Sequence, residues 1–202
     1  NLKCCNLKRM NRHERRRNKG KGVEDHKFYS DLTNAIEIHK SKDYIAAKKL
    51  YKKLLVTHPD SYELNRHMGI LCQDTGKVAD SFNFFVKCLE NKPNGFEAYN
   101  NMGASYVLVK DYQLAVKCFN QAILLSKDYI PAINNLANLY SRRGDGENAL
   151  RYAKILKEKK PNSAQSINTY AKALVLNHDI EQAIKLMKRL VEEYPSEEEY
   201  KL

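Results

Sequence analysis

Two pairs of adjacent asparagines carry the most regular hydrogen-bonding chemistry in this sequence. Asn100 and Asn101 lie in EAYNNMGASY, and Asn134 and Asn135 lie in the matching segment PAINNLANLY of the next repeat. Every side-chain amide supplies two N–H donors and one acceptor oxygen. Amides repeated at a fixed interval can hydrogen-bond the main chain of an extended peptide irrespective of its side chains. The chemistry indicated is recognition of a peptide backbone.

Catalytic and metal-binding chemistry is not indicated elsewhere in the chain. The sequence contains no G-x-S-x-G, H-E-x-x-H, P-loop or G-x-G-x-x-G pattern. Its five cysteines lack metal-binding spacing, and their odd number argues for free thiols rather than a disulfide framework. Of the six histidines, only His39 and His67 occupy positions that could face a ligand. We therefore predict no enzyme activity, no metal site and no cofactor.

Positive charge is concentrated at the amino terminus. The segment 1–27 holds ten basic and three acidic residues, a net charge of +7, whereas the rest of the chain carries only +4 of the total of +11. Attachment to nucleic acid or to an anionic membrane is one interpretation of such an arm. The arm contains no aromatic residue that could stack on bases. We therefore predict a disordered basic segment and no nucleic-acid binding.

Membrane insertion and secretion are both disfavoured by the distribution of apolar residues. No apolar run is present that is long enough to span a bilayer. The charged amino terminus is not followed by the apolar segment typical of a secretory signal. Together with the unpaired cysteines, this predicts a cytoplasmic protein without a transmembrane segment.

A regular repeat determines where the asparagines fall. Prolines recur at one fixed interval as Pro59, Pro93, Pro161 and Pro195, and Lys127 takes the remaining place. If these residues are position 32 of a unit, the chain holds five units: 28–61, 62–95, 96–129, 130–163 and 164–197. Position 8 is then always small, as Ala35, Gly69, Gly103, Ala137 and Ala171. Small residues let two helices approach closely.

Each unit contains two amphipathic helices. In the third unit Tyr99, Met102, Gly103 and Tyr106 follow the i, i+3, i+4, i+7 spacing of one helix face. A turn at residues 110–111 separates this helix from a second one. The second helix ends near position 32, because proline cannot continue a helix. The pattern predicts an all-α chain of helix-turn-helix units.

This arrangement resembles the tetratricopeptide repeat over residues 28–195. The resemblance implies a right-handed α-solenoid, with a concave groove lined by the first helix of each unit. It also implies that residues 196–202 begin a capping or truncated helix, since Ser196 is a suitable N-cap.

The resemblance assigns the asparagines to the groove rather than to the core. Positions 5 and 6 of the five units hold five asparagines, whereas the overall asparagine content of the chain predicts only one. This excess favours a peptide-binding ladder, and a merely solvated polar surface is the alternative. The residues predicted to bind the peptide are Asn100, Asn101, Asn134, Asn135, Asn138, Asn168, Arg66, Arg142 and Lys172. The groove positions also include Gln73, Asp74, Ala104, Val107 and Leu108. Replacing Asn101 and Asn135 with alanine is expected to weaken binding without changing the melting temperature.

Two functions are compatible with these features. The first is a protein-interaction scaffold that binds an extended peptide or a partner domain in the groove. The second follows from MNRHERRR at residues 10–17, which resembles the opening of alphaproteobacterial repeat proteins in which such arrays precede transferase domains. It implies the N-terminal region of a larger glycosyltransferase or sulfotransferase, whose catalytic domain lies outside this chain.

Overall fold

Ten α-helices account for the regular structure of the described protein. The computed structural model describes residues 12–194, with side chains from residue 26 onward, and none of these residues forms a strand. The helices are α1 (Arg12–Lys40), α2 (Tyr44–Thr57), α3 (Tyr62–Asp74), α4 (Val78–Asn91), α5 (Phe96–Leu108), α6 (Tyr112–Leu125), α7 (Ile130–Arg142), α8 (Gly146–Lys159), α9 (Ala164–Leu176) and α10 (Ile180–Glu193).

The helices are arranged as five stacked pairs. Helices α3, α5, α7 and α9 each begin at the first position of a predicted unit, and the even-numbered helices recur at the same interval. Each odd-numbered helix packs most extensively on the even-numbered helix that follows it, and more sparsely on the next odd-numbered helix. Because every pair contacts only its neighbours, the described chain is a solenoid. The predicted all-α solenoid of helix-turn-helix repeats is confirmed.

The turn inside each pair has the same geometry in all five units. The first helix ends before a residue with positive φ, which is Lys42, Gly76, Lys110, Gly144 or His178. This left-handed conformation is a common way to end a helix, and it suits glycine best. In four units an aspartate follows, and its carboxylate accepts a hydrogen bond from a main-chain N–H in the next helix; these residues are Asp43, Asp111, Asp145 and Asp179. The aspartate therefore starts the second helix as an N-cap.

The small residue at position 8 lies in the seam between the two helices of a pair. A Cβ atom on Gly69 would lie 2.4 Å from Phe85 Cε1, and one on Gly103 would lie 2.7 Å from Phe119 Cε1. Both phenyl rings are buried, so they have little space into which to move. The seam in these two units therefore requires a residue without a side chain.

Helix α1 differs from the sequence-based expectation. It begins at Arg12, so residues 12–27 are helical, whereas the sequence predicted a disordered arm up to residue 27. Arginine, lysine and glutamate are good helix formers, and a helix already nucleated by the packed segment after Phe28 can extend at low cost. Residues 1–11, and the expected helix start at 196–202, lie outside the described residues.

Candidate functional site

The first helices of the second, third and fourth units form a cleft of about 340 Å³. The lining residues are Gln73 and Asp74 from α3, Ala104, Val107 and Leu108 from α5, Phe119 from α6, and Asn135, Asn138, Leu139 and Arg142 from α7. We call this surface the central cleft. It combines apolar contact area with a few directed polar groups, as ligand sites do.

Asn100 and Asn135 bind each other rather than standing as independent amides. The Nδ2 atom of Asn135 donates to Oδ1 of Asn100 at 2.9 Å. Asn100 is only 6% exposed, so this bond satisfies a polar atom beneath the cleft surface. The pair links α5 to α7, and its structural role was not evident from the sequence.

An equivalent bond joins the next two units. Thr169 Oγ1 donates to Oδ1 of Asn134 at 3.3 Å. As in the pair of Asn100 and Asn135, position 5 of one unit bonds position 6 of the next. A polar residue at each of these positions is the sequence signal, and it becomes interpretable only once the stacking of the units is known.

Gln73 and Asn101 link α3 to α5. The Nε2 atom of Gln73 donates to the main-chain oxygen of Asn101 at 2.8 Å and to Ser105 Oγ at 2.7 Å. Both donors of the Gln73 amide are therefore used within the protein. The Nδ2 atom of Asn101 is buried and has no hydrogen-bond partner among the described residues.

The remaining predicted site residues are distributed unevenly. Asn138 and Arg142 line the central cleft. Arg66 is half-buried and donates to Glu63 at 2.7 Å instead of facing the cleft. Asn168 is buried, and Lys172 is exposed on α9. Of the nine predicted residues, the structure therefore brings together Asn135, Asn138 and Arg142 in one lining, with Asn100 directly beneath it.

A buried cluster joins the first two units. His39 Nε2 lies 3.0 Å from Asp74 Oδ2, and His39 Nδ1 lies 3.3 Å from Tyr51 Oη. Burial raises the pKa of Tyr51 to about 12, although the charge of Arg66 opposes this shift. Tyr51 is therefore a neutral phenol at physiological pH and not a nucleophile. The arrangement of Tyr51, His39 and Asp74 orders the interface and does not form a catalytic triad.

His67 lies on the same face, next to this cluster. Its ring stacks on Tyr51 with 6.3 Å between ring centroids. Burial, and secondarily the neighbouring charge of Arg66, lowers the pKa of His67 to about 4. The imidazole is therefore neutral in the folded protein near pH 7.

The described cysteines are not activated. Burial raises the pKa of Cys88 to about 12 and that of Cys118 to about 11, so both remain thiols at neutral pH. In the described part of the chain, no group of three or more His, Cys, Asp or Glu residues is placed to hold a metal ion. Cys4 and Cys5 lie outside the described residues. Between residues 12 and 194, none of the helices has the length and apolar character needed to cross a membrane.

The sequence matches known tetratricopeptide repeats. Sequence profiles of this repeat match residues 96–129, 132–154 and 169–196. The chain is 27% identical over 130 residues to a TPR repeat-containing protein of Methanocaldococcus jannaschii, covering 61% of this chain and 22% of that protein. It is 24% identical over 155 residues to N-alpha-acetyltransferase 16, NatA auxiliary subunit, of Homo sapiens, covering 75% of this chain and 18% of that protein. The chain thus spans about a fifth of the length of these relatives.

Solved structures show the same architecture. The fold is similar to that of PilW, described as a widely conserved type IV pilus biogenesis factor, with a TM-score of 0.77 at 22% identity. The similarity covers 86% of this chain and 80% of that one. At this level of identity the likeness concerns the fold alone. The matching profiles and the helix pairs that recur once in every unit show that this chain is a tetratricopeptide repeat protein.

Proposed function

We propose that the protein binds an extended segment of a partner protein in the central cleft. Tetratricopeptide repeat proteins are scaffolds for interactions with proteins or peptides, and they are generally not enzymes. The observation that carries the proposal is the lining of the cleft, to which three consecutive first helices contribute both apolar and polar side chains.

The dimensions of the cleft suit an extended peptide. Packed helices lie about 10 Å apart, so a surface that crosses α3, α5 and α7 spans roughly 20 Å. An extended chain advances about 3.4 Å per residue, so about six residues cover that distance. Ala104, Val107 and Leu108 then provide the contact surface for one apolar side chain near the middle of the segment.

The polar groups divide into two kinds. The Gln73 amide donors are already satisfied, and Asn135 uses one donor on Asn100. Asn138 makes no side-chain hydrogen bond to another described residue, and it faces the cleft. We therefore assign recognition of the peptide main chain to Asn138 and to the remaining N–H of Asn135.

Opposite charges at the two ends of the cleft set the direction in which the peptide binds. Arg142 lies at the end formed by α7, and Asp74 lies at the end formed by α3. One oxygen of Asp74 is engaged by His39, but 45% of the side chain is exposed. An acidic group of the peptide near Arg142 and a basic group near Asp74 would complement these charges.

A peptide-display experiment tests the assignment. Nonapeptides selected on the full chain should carry a central apolar residue, with charges of opposite sign on either side of it. Replacing Asn138 and Arg142 with alanine should weaken the selected peptides about tenfold or more, because each change removes a hydrogen bond or an ion pair. The same substitution at Lys188, which is exposed on α10, is the control. A library that yields no binder, or a double variant that binds as well as the control, would contradict the proposal.

The alternative of a region within a larger transferase receives no support from the matches. The relative from the acetyltransferase complex is described as an auxiliary subunit. The scaffold function is therefore the one that we retain.

A further inference from the structure

The outer face of α2 carries the two most exposed large aliphatic side chains of the described protein. Ile45 is 87% exposed and Val56 is 83% exposed. The two residues are three helical turns apart, which places them on one line along the helix, about 16 Å from each other. Lys49 and Lys52 lie between them on the same line. The result is a straight outer stripe with lysines at its centre and aliphatic residues at both ends.

The lysines of this stripe belong to a larger cationic cluster. Lys48, Lys49, Lys52 and Lys77 line one cleft of about 430 Å³, together with Tyr44, Ile45 and Thr75. Helix α2 contains four lysines and no acidic residue. Within residues 26–194, none of the four lining lysines lies within ion-pair distance of a carboxylate. Their ammonium groups are therefore not held in ion pairs by the described side chains.

The repeat architecture does not require this combination. The position of Ile45 is occupied in the other units by Ala79, Gln113, Glu147 and Glu181. The position of Val56 is occupied by Glu90, Leu124, Glu158 and Glu192. All of these residues except Leu124 are acidic, polar or small, as expected for an outward surface. The exposed aliphatic residues of α2 therefore have no role in holding the solenoid together.

We propose that the outer face of α2 is a docking surface for an anionic phospholipid bilayer. Lysines held near such a bilayer are attracted by its negative surface potential, and aliphatic side chains beside them gain free energy by entering the interface. A bilayer offers apolar contact along the whole stripe without a pocket of matching shape. Nucleic acid fits less well, because Tyr44, the aromatic residue in the lining of this cleft, is half-buried and leaves little ring surface for base stacking.

The chain also continues from this end of the protein into its most basic segment. Helix α1 packs on α2, and its residues 12–27 carry a net charge of +4. The positive charge of this part of α1 and that of α2 therefore belong to the same unit of the solenoid. This continuity favours an extended anionic surface over a small anion as the partner.

Vesicle binding with matched variants tests the electrostatic part. The full chain should sediment with vesicles that mix phosphatidylcholine and phosphatidylserine two to one, but not with pure phosphatidylcholine, and about 1 M salt should release it. Replacing Lys49 and Lys52 with glutamate should lower the partition coefficient about thirtyfold or more. The control variant replaces Lys185 and Lys188 with glutamate; these residues are exposed on α10 with the same spacing. Its partition coefficient should differ from that of the wild-type chain less than about threefold. Both variants change the net charge equally and keep the arm. Failure of the wild-type chain to bind anionic vesicles, or equal losses in the two variants, would overturn the proposal.

A second pair of variants tests the aliphatic part. Replacing Ile45 and Val56 with serine should weaken vesicle binding at least about tenfold while leaving the affinity for double-stranded DNA unchanged. Leu124→Ser, at the position in α6 that corresponds to Val56 and 70% exposed, should leave both affinities unchanged. Because all three side chains are exposed, the melting temperatures should agree. If the serine variant binds vesicles as tightly as the wild-type chain, the surface is a general polyanion site and the bilayer assignment is wrong.

Discussion

The first helix of each unit has two faces that tolerate different substitutions. On the seam face of α5, Gly103 lies so close to the Phe119 ring that even a Cβ atom would sit 2.7 Å from it. On the groove face of the same helix, Ala104 and Val107 border an open cleft. Substitutions in the seam are limited by the space available, whereas substitutions on the groove face are limited by the need to keep buried polar atoms hydrogen-bonded. Substitutions on the two faces should therefore fail for different reasons.

The seam itself is built in two ways. In the second and third units a glycine opposes a buried phenylalanine, as with Gly69 and Phe85. In the fourth unit Ala137 packs in a cluster with Ala153, and Tyr170 from the following unit belongs to the same cluster. The space between the two helices of a unit can thus be filled by a large side chain of the same unit or by one of the next unit. What the architecture requires is the total volume, not a particular residue.

The largest expected effect is on the seam face. Gly103→Leu should destabilise the protein by about 3 kcal/mol or more, or prevent folding, because the added side chain overlaps the buried Phe119 ring. Urea denaturation followed by circular dichroism measures the loss. Ala104→Leu, one residue further on and facing the cleft, should change the stability by less than about 1 kcal/mol. Equal losses at the two positions would remove the distinction between the faces.

On the groove face, the largest loss is expected at Asn135. Asn135→Ala should cost about 1–3 kcal/mol of stability, because it leaves Oδ1 of the buried Asn100 without its donor. Asn138→Ala, in the same helix and cleft, should cost less than about 0.5 kcal/mol. This prediction differs from the expectation from sequence, in which replacing Asn101 and Asn135 with alanine leaves the melting temperature nearly unchanged, because the bond to Asn100 is now included. If both variants melt together with the wild-type protein, the amide pair does not hold the units together.

A smaller substitution at Gly103 tests the energetic cost of the close contact with Phe119. Gly103→Ala gains about 1 kcal/mol of helix propensity but brings a methyl group against the ring, so we expect a net loss of about 1 kcal/mol. Adding Phe119→Leu should recover part of that loss, because the smaller side chain leaves room for the methyl group. A double-mutant cycle measures this coupling. Strict additivity would show that the close contact has no energetic consequence.

The smallest expected effect is a pH dependence of the stability. It comes from His67, on the groove face at the interface between the first two units. His67 has a pKa of about 4 when folded, owing first to burial and then to Arg66, against about 6.5 when unfolded. Its contribution to stability is complete above pH 6.5 and is lost as the pH falls toward 4, because only the unfolded chain binds the proton. Between pH 7.5 and 6.0 the melting temperature should therefore drop by about 2 °C more for the wild-type protein than for His67→Gln. An identical drop in both proteins would contradict this assignment.

Much of the architecture followed from local patterns. The small residue at position 8 and the turn residues, such as Asp43, depend on helix geometry within one unit, which sequence spacing reports directly. The central cleft also follows in part, since Asn135, Asn138 and Arg142 share the face predicted for the groove. The start of α1 did not follow, because the extension of a helix from a packed segment depends on context as well as composition.

The sequence by itself determined the repeat and the helix pairs, because these are properties of the repeat period and of helical spacing. The side of each first helix that faces the groove was implied by the resemblance to the tetratricopeptide repeat. Only the tertiary structure decided which amides bind each other. The bond between Asn100 and Asn135, and the contact of His39 with Asp74, join residues of successive units that are far apart in the sequence. Such bonds depend on how far one unit is rotated and shifted on the next, and that displacement is set by side-chain packing in the seams.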